Sequence, residues 1–390
     1  MSADAAERVA DAPAEVAIPA THERRALRRP GTITLAKTGG VLVVLLVPVI
    51  VGALPLSTSD IRFWSGTSVL IVITAIGALG LNVLSGYTGQ VSLGHAFFLG
   101  VGAYTAAWIG ADRGVNAIVW IPAAGVVAAA FGALIGPTAL RLRGLYLAIV
   151  TIGLVFIGQH LFVNVPSVTG GSQGRAIPQP KFGGADFSKD DFTILGYGID
   201  RNGLYYWLSA IILLLAMLFV WNLTRTRPGR ALQAVRDREV AAALMGVNLA
   251  RTKLNAFVIS SFLAGVCGAL YGAYTRHADP LQWDLILSIQ FVAIIIVGGI
   301  GTVSGALLGA IFVTGLPAVL QQYSSSLPFI QQTAGSGGIA VGDATNVVFG
   351  LLIVVFLVAE PRGVIGLVAR AGGLVRGITA RRRSPEAAPS

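Results

Sequence analysis

Apolar residues run almost without interruption from Val41 towards the C-terminus, in stretches close to the roughly 20 residues that cross a bilayer as a helix. Polar punctuation divides them into expected spans near 38–56, 66–84, 93–111, 116–136, 145–164, 203–223, 254–274, 285–300, 302–322 and 344–368. In lipid a chain must satisfy its backbone hydrogen bonds internally, and segments of this length do so as helices rather than as barrel strands. The expected fold is an all-α integral membrane protein, a polytopic helical bundle of about ten transmembrane helices. With five spans per half, any structural repeat has to relate inverted halves with interrupted helices.

Two connections differ from ordinary loops. Ser85–Ser92 (SGYTGQVS) is polar, glycine-rich and uncharged between apolar stretches, the pattern of a broken helix or re-entrant turn at membrane depth. Gly298–Gly305 (GGIGTVSG) repeats the pattern later, as a second break or as a tight glycine hairpin. A third stretch, 224–253, is an island of charge that must sit in water. Ala231–Met245 inside it is rich in Ala, Leu, Arg and Glu and predicts one short amphipathic helix, opened by Pro228–Gly229 and closed by Gly246 with Asn248. Residues 1–37 lack apolar periodicity and read as a disordered cytoplasmic tail, 38–368 as the transmembrane domain and 369–390 as a basic cytoplasmic tail. The polar segment after Arg24–Arg25 argues against a cleaved signal.

Composition agrees: 54% of residues are hydrophobic, 12% charged, and mean hydropathy is +0.75. A net charge of +10 would suggest nucleic acid in a soluble domain, but the basic residues cluster in particular connections. The N-terminal tail, Arg141/Arg143, the 224–253 loop and the C-terminal tail hold about three quarters of them, all on one side of the expected topology. Both termini are therefore expected in the cytoplasm, and the Val165–Asn202 loop outside. Small residues at four-residue spacing, Gly301/Gly305/Gly309, Gly132/Gly136 and Gly268/Gly272, predict helix-packing faces.

Candidate chemistry is sparse. Cys267 is alone, which leaves no disulfide or thiolate metal cluster, and no phosphate loop, HExxH motif, carboxylate pair or nucleophile elbow stands in a credible place. No catalytic or metal residue is expected, and an enzyme reading has nothing to work with. The spans hold almost no ionisable groups away from their ends, so a proton relay is also missing. His160, late in the fifth span, reads as a structural histidine. Tyr87, Gln90, Ser92 and His95 surround the first break and are expected to line a translocation path, where hydroxyl, amide and imidazole groups offer transient hydrogen bonds.

If the spans carry no coupling ions, the energy for transport has to enter through the 224–253 loop. Val240, Ala241, Ala242 and Gly246 stand where permeases of ATP-binding-cassette importers carry E-A-A, three residues, then G, with Glu239 displaced by one position from that family's acidic residue. Longer stretches extend the likeness: LNVLSGYTGQVSLGHAFFLGVGAYTAA (Leu81–Ala107), RGLYLAIVTIGL (Arg143–Leu154), TGGSQG (Thr169–Gly174), Gly229–Gly272 and IIIVGGIGTVSGALLGA (Ile294–Ala310). From about Leu81 to Leu320 the chain resembles the LivM-type permeases of branched-chain amino acid importers.

The resemblance implies a permease without its own ATPase site or bound cofactor, in the cell membrane of a prokaryote. Its implied partners are a LivH-type permease, two cytoplasmic ATP-binding subunits that use ATP, and an extracytoplasmic binding protein, with no nucleic acid. It implies coupling roles for Arg236, Asp237, Glu239, Ala241, Ala242 and Gly246, with Ala242, Leu244 and Met245 on the docking face. The same family serves urea and short amides as well as leucine, isoleucine and valine, which leaves those as alternative cargo; an ATP-independent facilitator is the competing class.

Overall fold

The computed structural model describes residues 58–140, 145–182, 185–187, 191–194, 197–323, 330–331, 339–340, 347, 350–351, 354 and 363–366. The expected span 38–56, both tails and most of 344–368 lie outside the described residues.

The chain is a helical bundle. Helix α1 (Thr58–Leu81) ends in a π turn (Asn82–Gly86), and α2 (His95–Ala107) ends in another (Trp108–Asp112). Then come α3 (Ala117–Leu140), α4 (Leu145–Asn164), α5 (Arg201–Arg225), α6 (Arg227–Asp237), α7 (Glu239–Leu244), α8 (Leu249–Thr275), α9 (Leu285–Gly298) and α10 (Val303–Tyr323). Among the described residues six helices are long and apolar enough to cross a membrane: α1 with its π turn, α3, α4, α5, α8 and α10. Ten spans are thus not reproduced in this part of the chain. Two expected spans are short helices: α2 has 13 residues before its π turn, and α9 has 14 residues. At 1.5 Å per residue α9 is about 21 Å long, less than the roughly 30 Å of a hydrocarbon core.

Burial separates an inner pair from an outer shell. Of the apolar windows of α1 and α8, 78% is buried, against 33% for α3, α4 and α10. Small residues explain the inner position of α8: a Cβ on Gly268 would overlap the Leu99 carbonyl of α2, and one on Gly265 would meet Ala124 and Ala128 of α3. With side chains absent there, backbones approach closely and gain dispersion contacts, which drive association where lipid removes the hydrophobic incentive. Gly132 and Gly136 seat Ser261 and Leu254 of α8 in the same way. Cys267 is fully buried and donates to the Ile73 carbonyl of α1 at 3.1 Å.

At the end of the bundle away from α6 and α7, Arg201 donates to the Tyr274 carbonyl at 2.7 Å and lies over the Tyr205 ring, tying the start of α5 to the end of α8. Small antiparallel ribbons close that end: β1 (Arg175–Ala176) pairs with β4 (His277–Ala278), and β2 (Asp191–Ile194) pairs with β3 (Tyr197–Asp200). His160 is exposed on α4, with Asn164 donating to its carbonyl at 2.9 Å.

Candidate coupling and translocation site

The stretch between α1 and α2 winds down through its π turn, then runs non-helical from Gly89 to Gly94. Gly89 takes a left-handed φ of 71°, which only glycine adopts without strain. Backbone groups left open here find side chains from other helices: Leu93 N–H donates to Thr151 Oγ1 of α4 at 2.9 Å, and Ala96 N–H to Ser288 Oγ of α9 at 3.0 Å. Irregular backbone at membrane depth survives only when protein satisfies it in this way.

Tyr87, Gln90, Ser92 and His95 all lie buried within the chain, between 2% and 7% exposed. Gln90 donates to Thr88 Oγ1 at 3.1 Å, Gly94 N–H to Ser92 Oγ at 3.4 Å, and the His95 ring rests 4.9 Å from that of Phe291. Room for Phe291 comes from Gly77 of α1, where a Cβ would overlap the ring. The neighbouring Val91 is the large apolar side chain that this stretch leaves open, 48% exposed.

The second break is the hairpin form of the two readings. Gly299 and Gly301, with φ of 118° and 79°, turn the chain within four residues. Gly298 and Gly309 then let α9 and α10 pack together, since a Cβ on Gly298 would overlap the Gly305 carbonyl and one on Gly309 the Ile294 carbonyl, while a Cβ on Gly305 would overlap Thr302 Oγ1 and the Gly299 carbonyl of the turn. Gly301 is not on that helix face; it lies in the turn, because α10 starts at Val303.

Asn82, in the π turn after α1, joins the two breaks. Its Nδ2 donates to the Thr302 carbonyl at 2.8 Å, and its Oδ1 accepts from Gly301 N–H at 2.8 Å. A carboxamide satisfies one donor and one acceptor of the turn at once, while itself fully buried. Arg236 of α6 completes the cluster: its Nη1 donates to the Gly86 carbonyl, and a Cβ on Gly301 would collide with that guanidinium.

The 224–253 loop differs from the single expected helix Ala231–Met245. It forms two helices, α6 and α7, separated by Arg238 in extended conformation (φ −156°, ψ 106°). Electrostatics explains the break within the triplet Asp237-Arg238-Glu239. The Glu239 carboxylate pairs at 2.5 Å with Lys253 Nζ of α8, an ammonium whose side chain is only 7% exposed. A buried charge must be paired, and that demand outweighs the continuation of a short helix. Leu232 and Val235 bury the inner face of α6.

After α7 the chain closes as a Schellman turn: Val247 N–H donates to the Ala242 carbonyl and Gly246 N–H to that of Ala243, both at 3.0 Å, with Gly246 at φ 83°. Asn248 then caps α8 by accepting from Arg251 N–H at 3.0 Å. The residues of the expected coupling set divide. Asp237, Ala241 and Gly246 are open, whereas Ala242 is buried and Arg236 and Glu239 bond to their own chain. The apolar surface left outside is Val240, Leu244 and Met245, 70%, 84% and 86% exposed, so Ala242 is not part of it.

Asn82, Thr151, Ser288 and Thr302 were not among the residues that the sequence points to. Asn82 had a signal, as a lone polar residue in an apolar run just before a break.

These features define a class: a multi-pass helical membrane protein with helix breaks gathered at one end beneath an amphipathic loop. The chain belongs to the family of permease components of branched-chain amino acid transport systems, whose model matches residues 64–357. It is 37% identical over 254 residues to the high-affinity branched-chain amino acid transport system permease protein LivM of Escherichia coli K12, covering 62% of this chain and 60% of that protein. It is 34% identical over 282 residues to the LivM of Salmonella typhimurium, covering 69% and 65%. The LivH permease of Salmonella typhimurium is 28% identical over 304 residues, 75% of this chain and 91% of the relative. The chain thus spans somewhat under two thirds of the length of these two LivM relatives. No solved structure matches.

Proposed function

We propose that this chain is a permease subunit of an ATP-driven importer that carries branched-chain amino acids delivered by an extracytoplasmic binding protein. The observation that carries the reading is the exposed ridge Val240, Leu244 and Met245 on α7, held between two spans by the Schellman turn at Gly246. Three large apolar side chains at 70% exposure or more, in a loop rich in arginine, suit a groove on a soluble partner. In this reading that partner is a cytoplasmic ATP-binding subunit present twice, and a LivH-type permease stands beside the chain.

In this reading the 224–253 loop and both termini face the cytoplasm, in the cell membrane of a prokaryote, and the short helices α2 and α9 with the two expected spans outside the described residues bring the total to about ten. Tyr87, Gln90, Ser92 and His95 border the path when the partner permease is in place. This chain binds no cofactor; ATP acts on the partner subunits. The scarcity of ionisable groups in the spans supports ATP rather than a proton gradient as the source of energy.

The test is reconstitution with the partner permease, ATPases and binding protein, following labelled leucine and labelled urea with ATP and no ion gradient. Leucine uptake that requires ATP is the expected result. Uptake without ATP that collapses with a protonophore would overturn the mechanism, and ATP-dependent uptake of urea alone would change the cargo.

A further inference from the structure

We infer that Arg236 and Asn82 form a relay that carries movement of the 224–253 loop into both helix breaks together; this rests on the ATP-driven reading above. Three segments distant in sequence meet at one point: the π turn Asn82–Gly86, the turn Gly299–Thr302, and the end of α6. Asn82 is the fixed crosspiece. Fully buried, with both bonds made to backbone, it keeps the two turns in register, since parting them would strand an amide and a carbonyl away from water.

Arg236 is the handle that can let go. Its side chain is exposed overall, so the guanidinium rehydrates when withdrawn, yet its bond to the Gly86 carbonyl is charge-assisted and therefore strong while it lasts. Two glycines make room for it: the Arg236 stem lies in contact distance of a Cβ on Gly89, and the guanidinium occupies the space a Cβ on Gly301 would need. Leu232 and Val235 seat α6 on the bundle, so Arg236 moves with that helix. Because α7 follows after a single extended residue, a partner gripping Val240, Leu244 and Met245 pulls on the segment that holds Gly86. Arg236 is a positioning residue, turned towards its own chain rather than towards the ATPase.

Two measurements test the relay on the full chain. In proteoliposomes carrying the whole importer, Arg236→Gln is expected to keep the ATPases bound and hydrolysing while leucine carried per ATP falls about tenfold, the effect of roughly one such bond. An unchanged ratio, or release of the ATPases from the variant, overturns it; release would make Arg236 a docking residue. The second measurement needs no transport: in nanodiscs, with Cys267→Ser and Val91→Cys, the rate of labelling by a water-soluble maleimide is compared with and without Arg236→Gln. Several-fold faster labelling is expected as the first break loosens, and an identical rate overturns the relay. A wild-type assembly that fails to take up leucine with ATP would sink the functional reading, and the labelling comparison would still judge the relay.

Discussion

Between Gly86 and His95 the chain leaves the helix for six residues, Gly89–Gly94, while between Gly298 and Val303 it does so for four. The longer break has no hairpin geometry to close on, so it borrows Thr151 from α4 and Ser288 from α9 to satisfy its amides. The shorter break is turned by its own residues and cross-linked by one neighbour: two left-handed glycines bend it, Thr302 Oγ1 donates to the Gly299 carbonyl at 2.8 Å, Gly305 N–H donates to Thr302 Oγ1 at 3.2 Å, and the Asn82 carboxamide holds Gly301 N–H and the Thr302 carbonyl. Glycine-rich, uncharged stretches that look alike therefore serve unlike ends. One takes its shape from side chains of two other helices, and the other takes its shape from its own glycines and needs a neighbour only to hold it in place.

The sharpest way to break this contrast is to attack the glycine turn. Gly305→Leu drives a side chain into Thr302 Oγ1 and the Gly299 carbonyl and should cost about 3 kcal/mol by overpacking. Thermal unfolding in detergent measures it, and a melting temperature near that of the wild type would show that α9 and α10 are not held as described. Asn82→Leu, close to the original in volume, removes both cross-links and should cost about 2 kcal/mol, near 1 for each bond. Hydrogen exchange should then rise in both breaks; a rise in the first alone would mean the second turn needs no outside support.

Thr151→Val frees only the Leu93 amide and should cost about 1 kcal/mol. Its effect is expected in exchange at the first break, with α9 and α10 untouched. Gly246→Val lies outside both breaks and serves as a control. Nothing stands within 4 Å of a Cβ there, so the strain is that of a left-handed β-branched residue alone, about 1–2 kcal/mol confined to the loop. Coupling of ATP hydrolysis to leucine uptake should weaken while membrane insertion stays intact; full coupling would remove this turn from the mechanism. The smallest expected effect is labelling of cysteines at Tyr87, Gln90, Ser92 and His95 in the chain alone, where burial should protect all four; ready labelling would show the first break open at rest.

Much of this was legible because bilayers impose simple rules. The length of apolar runs placed α3, α4, α5 and α10 to within about four residues, since a span must satisfy its own backbone, whereas α1 and α8 begin eight and five residues before the expected spans. Gly246 and Asn248 marked the close of the loop helix because a left-handed cap and a side-chain cap are local chemistry, written in consecutive residues. The short α9 was close to legible too, since the expected span 285–300 overruns it by two residues; left open was whether the break after it is a hairpin, which the packing of Gly298 and Gly309 between α9 and α10 decides.

What tertiary structure alone decided is which polar group meets which. Nothing near Glu239 in sequence announces Lys253 as its partner, yet that pair splits the loop helix at Arg238 and turns Val240, Leu244 and Met245 outward. Nor does the chain around Asn82 announce Gly301 and Thr302, some 220 residues away. Periodicity and capping depend on neighbours along the chain and can be read from it. The pairing of buried charges and amides depends on distances between segments, which exist only once α1, α8 and the α9–α10 hairpin have packed.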